Sequence, residues 1–346
     1  MHHLTKTRPT DKIHLVTRIS TIVDSLVAEG ISLSDALAGV HLSPQQLRSP
    51  ATHVSLNQVI QCYRNAGDLS TDPYFAYHAG LRFHVSTFGM YGFAILSSPD
   101  FRQAARFAQQ YNELAAADAD IAFKEEGDLG RWVVNPVSLP SVNATVYRFI
   151  VELNFGLSIS LHRDVMGSSF GPRELWVTYG SPNDRPPSAN PFGCPALFGR
   201  SENAMVFDKN WLDGPATLGN AVTYLQLVEL CDQLIKGLQL RSGLAGSVRE
   251  TLLHNLAMPL SLAAVSRRLK MPIRTLKRKL QEEGTSYRKI FDELRTQIAI
   301  KYLRETKLTI EEIGASLGYS DAASFRYAFR RWTKQPPGKF RLETNS

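Results

Sequence analysis

Two stretches in the last quarter of the chain repeat one pattern: "SLAAVSRRLKMPIRTLKRKLQEEG" (261–284) and "EEIGASLGYSDAASFRYAFRRWTKQPPGKFR" (311–341). In the first, Val265, Leu269, Leu276 and Leu280 recur at steps of four, seven and four; in the second, Ile313, Leu317, Phe325 and Phe329 recur at four, eight and four. Each set describes two short helices crossing at a tight turn, one face of each buried against the other. The second turn is one residue longer and contains Gly318. Between them, "SYRKIFDELRTQIAIKYLRETK" keeps Ile290, Leu294, Ile298 and Leu303 on one side without Gly or Pro. This predicts a single helix over Tyr287–Glu305, about 28 Å long at ~1.5 Å per residue. The end of the chain therefore folds as two helix-turn-helix motifs joined by a long helix.

Charge gives these motifs a partner class. From Glu250 onward the chain carries 19 Lys+Arg against 10 Asp+Glu, whereas the preceding residues carry 20 against 22. The whole basic excess sits on the repeated motifs, the asymmetry expected of a polyanion-binding module attached to an ordinary domain. A helix entering the major groove needs long donors for base edges and positive charge for the flanking phosphates. The first motif offers Arg274, Lys277 and Arg278 on one face, and the second offers Arg326 and Arg330 with Ser324 and Tyr327 alongside. A strut the length of 287–305 could set two such helices about one duplex turn apart, roughly 34 Å, on the same face of DNA.

The N-terminal part has a different texture. "IHLVTRISTIVDSLVAEG" has helical spacing and stops at Gly30, and "PYFAYHAGLRF", "YGFAILSS" and "SPDFRQAARFAQQYNEL" are helical in kind, the last with Ser98 as the expected N-cap. "ADIAFKEEG" and "GRWVVNPV", joined by Gly-Asp-Leu-Gly, read as a hairpin, and "RELWVTYG" and "NAMVFD" as further strands around the long helix "TVYRFIVELNFGLSISLHR". The expected fold is an α+β N-terminal sensor domain, helices on a small antiparallel sheet, followed by an all-α C-terminal domain. The expected divisions are 13–210 for the sensor, 211–246 for a linker and 247–342 for the DNA-binding domain. In the linker, Leu227, Leu230, Leu234 and Leu238, with Leu218, Val222 and Leu225 on a neighbouring face, fit either packing on the first domain or a homodimer seam over 218–238.

The repeated segments resemble the AraC/XylS family of bacterial transcription regulators, through "MPIRTLKRKLQEEGTSYRKIFDELR", "IAIKYLRET" and "IEEIGASLGYSDAASFRYAFRRWTKQPPGKFR". The N-terminal part is similar, more loosely, to the ligand-binding domain of the ornithine-regulator subgroup, through "FGMYGFAILSSPDFRQAARFAQQYNEL" and "FGCPALFGRSENAMVF". The resemblance implies base contacts from Arg274, Lys277 and Arg278 and from Ala323, Ser324, Arg326 and Tyr327. It also implies a ligand-responsive activator on direct-repeat promoter DNA, with RNA polymerase and a small-molecule effector as partners. Ala322 and Ala323 are too short to read bases bidentately, so the first helix is expected to carry more of the specificity, with Arg330 and Arg331 clamping phosphates. Where the family usually has a Ser N-cap, this chain has Pro272, a loss of about 1 kcal/mol that proline's fixed φ partly recovers.

Candidate effector contacts are His78, Arg82 and His84 in "YHAGLRFH", with Trp132 and Arg148 further on; an anionic effector would call on Arg82 or Arg148. Two other functions compete: an enzyme with a DNA-binding appendage, and a constitutive DNA binder without a ligand. Catalysis through Cys62, Cys194 or Cys231 would need a basic partner that the sequence does not place beside them. No metal-ligand spacing, cofactor motif or catalytic constellation is present, and no apolar run has the length of a bilayer span, so a cytoplasmic protein that is not an enzyme is expected.

Overall fold

The computed structural model describes residues 8–115, 118–181, 191–214, 216, 218–253 and 260–344. Most of the Pro-rich loop after "RELWVTYG" lies outside them. The chain forms two compact units, built around Pro9–Gly237 and around Leu238–Ser346, a division that falls inside the 211–246 segment.

The first unit opens with a two-residue strand, β1 (His14–Leu15), paired antiparallel with β2 (His53–Val54) across α1 (Thr17–Ala28), α2 (Leu33–Ala36) and α3 (Pro44–Leu47). The helix α1 ends where Gly30 takes φ +87°, as its sequence predicts. Then follow α4 (Leu56–Leu69), α5 (Phe75–Gly80), α6 (Gly89–Ser97) and α7 (Phe101–Gln110). The cap of α7 is Asp100, which accepts a 2.7 Å bond from Gln103 N, and not Ser98. Ser98 instead terminates α6, donating its hydroxyl to Ala94 O, because its backbone precedes the turn that Pro99 imposes.

The expected hairpin is β3 (Ala119–Glu126) and β4 (Leu129–Pro136), turning at Gly127 with φ +58°. With β5 (Glu174–Trp176), β6 (Ala196–Leu197) and β7 (Ala204–Asp208) it makes one sheet in the order β3-β4-β7-β5-β6. All pairings are antiparallel except β5 with β6. That departure from a purely antiparallel sheet is possible because the long connection from Val177 to Pro195 lets the chain return in the same direction.

Between the sheet and α4 and α5 runs α8 (Ala144–Met166), capped by Asn143 and buried through Phe149, Ile150, Leu153 and Phe155. A helix with apolar residues all round belongs inside a core. Its approach to α5 is set by two facing glycines. A Cβ on Gly80 would lie 2.3 Å from Leu153 O, and one on Gly156 2.2 Å from Tyr77 O. The helix α9 (Ala221–Arg241) packs Leu227, Val228, Cys231 and Ile235 on this same core and leaves Val222 and Leu225 68% and 66% exposed, with Leu218 just ahead of it 64% exposed.

The second unit contains α10 (Gly243–Leu253), α11 (Leu262–Arg268), α12 (Ile273–Glu282), α13 (Tyr287–Glu305), α14 (Ile310–Ser316), α15 (Ala322–Thr333) and α16 (Pro337–Thr344). The pairs α11–α12 and α14–α15 are the two expected motifs, and α13 has the predicted bounds. Val265, Leu276 and Leu280 share a core with Leu244, Val248, Ile290 and Leu294. Ile313, Leu317, Phe325 and Phe329 share another with Ala299 and Leu303. The strut thus gives its first half to one core and its second half to the other. The Arg295 guanidinium lies over Phe291 at 4.1 Å and over Tyr319 at 4.5 Å, bracing the two cores against each other.

Candidate nucleic-acid interface and sensor cavity

In both motifs the chain turns between its helices at one residue with positive φ, immediately after the last apolar residue of the first helix. In the second motif this is Gly318, φ +80°, and in the first it is Lys270, φ +49°. An L-residue with a side chain pays a steric cost in that conformation that glycine does not. Beyond the turn, α12 begins at Pro272 with no side-chain cap, whereas α11, α13, α14 and α15 are capped by Ser261, Ser286, Thr309 and Asp321. The absent cap expected from Pro272 is therefore a feature of the fold.

With Leu276 and Leu280 buried, Arg274, Lys277 and Arg278 stand together on the exposed side of α12. Arg274 and Lys277 have no hydrogen-bond or ion-pair partner among the described residues, while Arg278 pairs with Glu282 one turn on. On α15, burial of Phe325, Ala328 and Phe329 turns Ala323, Arg326, Tyr327 and Arg330 outward, with Tyr327 73% exposed. Ser324 is exposed too, but its hydroxyl donates to the capping carboxylate of Asp321 at 2.9 Å, and its N–H donates to the same group at 2.7 Å. These bonds hold the Asp321 carboxyl below its ordinary range. Arg331 differs from its neighbour: it reaches back to Asp292 of α13 at 3.1 Å, while Arg330 has no such partner among the described residues.

The first unit contains a cavity of about 100 Å³, or about 840 Å³ counting the open solvent at its mouth, between α6 and α7, α8 and the β3–β4 hairpin. Of the five residues expected to contact an effector, only Trp132 lines it. His78 and His84 are exposed and face carboxylates, Asp72 at 2.5 Å and Asp164 at 3.0 Å. Arg82 is exposed, and Arg148 lies 3.8 Å from Glu152. These four do not converge on a pocket with Trp132, because the tight α5–α8 crossing fills the space behind "YHAGLRFH" with backbone.

The cavity is lined instead by groups that sequence spacing gives no reason to associate. Trp132 Nε1 donates to His162 Nε2 at 2.9 Å, and His162 Nδ1 donates to Ser158 O at 2.7 Å, which fixes the tautomer. Burial pushes the His162 imidazole down to about 4, so it is neutral at pH 7. Deeper in, Arg18 Nη1 meets Asp118 at 2.8 Å, and Tyr63 donates its hydroxyl to the same carboxylate at 2.7 Å. Burial likewise pushes the thiols of Cys62, Cys194 and Cys231 up, to about 12, 11 and 11, the opposite of what nucleophilic chemistry requires. Among the described residues no three His, Cys, Asp or Glu side chains cluster as metal ligands, and no helix is long and apolar enough to cross a membrane.

Comparison with known proteins joins the two units. Residues 30–216 match the family described as the arabinose-binding domain of AraC transcription regulators, N-terminal, and residues 265–343 match a helix-turn-helix domain. The ornithine utilization regulator of Pseudomonas aeruginosa is 28% identical over 327 residues, covering 94% of this chain and 95% of that one. An uncharacterised HTH-type transcriptional regulator of Mycobacterium tuberculosis is 27% identical over 339 residues, covering 96% and 97%. Among solved structures, the transcriptional regulator CdpR from Pseudomonas aeruginosa aligns with a TM-score of 0.48 and 22% identity over 93% of this chain and 96% of that one. With a sensor-type domain matched over more than half its length and two basic helix-turn-helix motifs on one strut, the chain belongs to the AraC family of transcription regulators.

Proposed function

We propose that this regulator is a cytoplasmic activator whose N-terminal domain (13–210) binds a small molecule and whose C-terminal domain (247–342) engages direct-repeat promoter half-sites to recruit RNA polymerase. The observation that carries the reading is the pair of outward basic faces on α12 and α15, held by two cores that share α13. In the proposal Arg274 and Lys277 contact base edges, with Arg278 in support; Arg326 and Tyr327 contact bases from α15 beside Ala323 and Ser324. Arg330 faces phosphates, and Arg331, expected to do the same, contributes less through its pairing with Asp292. The apolar Leu218, Val222 and Leu225 would meet a second copy through 218–238, within the 211–246 linker. An enzyme reading has no support in the three buried, proton-holding thiols.

The test is footprinting of the full chain on the promoter regions of its own genome, followed by gel shifts with Arg274→Ala and Lys277→Ala. Each substitution is expected to cost roughly 1 to 3 kcal/mol and to relax preference at one or two base pairs. Unchanged affinity and sequence preference in both variants would refute the assignment of α12 as the base-reading helix. A constitutive binder, by contrast, would gain no thermal stability from any metabolite.

A further inference from the structure

A helix that reads bases must be held as well as exposed, and α12 is held from its far end. Its entrance, beside Arg274, has no side-chain cap, whereas its C-cap residue, Glu283, grips another helix. One carboxylate oxygen of Glu283 accepts from Leu244 N at 3.0 Å and the other from Ala245 N at 2.8 Å. Both amides belong to the first turn of α10, where unpaired N–H groups and the helix dipole favour an anion. Gly243, which opens α10, has φ +70°, and a Cβ there would lie 3.0 Å from Glu283 Oε1, so a side chain would crowd the carboxylate.

The turn that Glu283 grips directly follows the end of α9, with only Ser242 between the two helices. This corner is tight: a Cβ on Gly246 would lie 2.0 Å from Arg241 O. Arg249 of α10 donates to Leu240 O of α9 at 2.6 Å and to Glu293 of α13 at 2.7 Å, which ties the corner together. All of these residues belong to the second unit. The helix α10 gives Leu244, Val248 and Leu252 to the core behind α12, and none of its described residues enters the core behind α15.

Apolar packing is non-directional and sets the spacing of helices, whereas a carboxylate bonded to two N–H groups also fixes axial position. A displacement at Glu283 is carried along the helix to Arg274, nine residues and about 14 Å away. Hydrogen bonds to base edges span only about half an ångström in length, so a shift of about one ångström is enough to lose them. We infer that Glu283 is the positioning residue of the first motif: it locks α12 to the corner between α9 and α10, so that base reading by α12, and not by α15, follows the setting of the linker helix. The inference rests on the base-reading role proposed above for α12.

The test compares binding of the full chain to three promoter duplexes: the intact site, one with the α12 half-site scrambled and one with the α15 half-site scrambled. The half-sites are assigned by the base preferences that Arg274→Ala and Arg326→Ala relax. For the wild type, scrambling the α12 half-site is expected to cost at least about tenfold in affinity, the worth of one well-formed base contact. In Glu283→Gln, which keeps the shape but loses the charge and one acceptor, that cost should shrink about fivefold, while the cost of scrambling the α15 half-site keeps its wild-type value. Glu283→Asp, which keeps the charge but falls short of the amides, should act in the same direction; it keeps the test decisive if Glu283→Gln fails to fold. Arg249→Met, which frees Leu240 O and leaves Glu283 in place, should also lower only the α12 cost. Affinity dropping on all three duplexes by one factor, or both costs falling together, would make Glu283 a stabilising residue only and overturn the inference, as would Glu283 variants that bind like the wild type. Wild-type costs in Arg249→Met would overturn the part assigned to α9. The base-reading role fails distinguishably: if Arg274→Ala and Lys277→Ala relax no preference, both claims fall, whereas relaxed preferences there with an unselective Glu283→Gln refute this inference alone.

Discussion

Arg330 and Arg331 are adjacent, both arginine and both exposed, and they differ in their partners. Arg330 stands clear on α15, whereas Arg331 is tied to Asp292 of α13 at 3.1 Å. Each phosphate neutralised by a protein cation contributes about 0.9 to the slope of log affinity against log salt. Between 50 and 200 mM salt, a fourfold change, one such contact therefore accounts for about a 3.5-fold difference in affinity. Arg330→Ala should lose that full increment. Arg331→Ala should lose much less, because its charge is already balanced by a carboxylate that would have to be left behind on binding. It should instead show a small loss of folding stability, below about 1 kcal/mol for an exposed pair. The assay is fluorescence anisotropy of a labelled promoter duplex at four or five salt concentrations, with urea unfolding alongside. Equal slope changes in the two variants, or a larger one for Arg331→Ala, would refute the argument that Asp292 withholds Arg331 from the phosphates.

Three further outcomes are expected. Lys270→Gly should stabilise the second unit by up to about 1 kcal/mol in urea unfolding, and Gly318→Ala should destabilise it by about as much, because both positions hold positive φ. Stability should fall as pH drops from 6.5 to 4. In that window an unfolded histidine takes up a proton that the folded chain refuses at His162 and His14, both pushed down to about 4 by burial. The full span is worth about 3 kcal/mol per histidine, and His162→Phe should leave only the share due to His14. Gly156→Ala should cost about 2 to 3 kcal/mol or more in thermal unfolding, since its Cβ would sit 2.2 Å from Tyr77 O where two helices cross.

Much of the second unit was legible because its information is local. The bounds of α13, the two four-residue apolar steps of each motif and the outward arginines all follow from helical periodicity within some eighty residues. The hairpin at Gly127 was legible for the same reason, a turn between two short apolar runs. The cap of α7 was misplaced by two residues because Ser98 and Asp100 both have cap chemistry, and only the backbone shows which one precedes the first helical residue. The candidate effector contacts are a different case, four of the five lying away from the cavity that Trp132 lines. His78, Arg82 and His84 cluster in sequence, but an α-helical turn and the glycine crossing behind it put them outside. His162 and Arg18 gave no sign of a site, since each sits within an apolar helical run and finds its partners 30 and 100 residues away.

The amino-acid order by itself determined the two helix-turn-helix motifs, the strut between them and the basic faces they expose, because a helix's period and charge are properties of neighbouring residues. Only the tertiary structure decided which cations are free and which are paired, as with Arg330 and Arg331. It alone formed the cavity, closing Trp132 on His162 and Arg18 on Asp118 from distant elements. Pairing and enclosure depend on where separate elements meet, and that is fixed by packing, such as the Gly80–Gly156 crossing, and not by any local pattern.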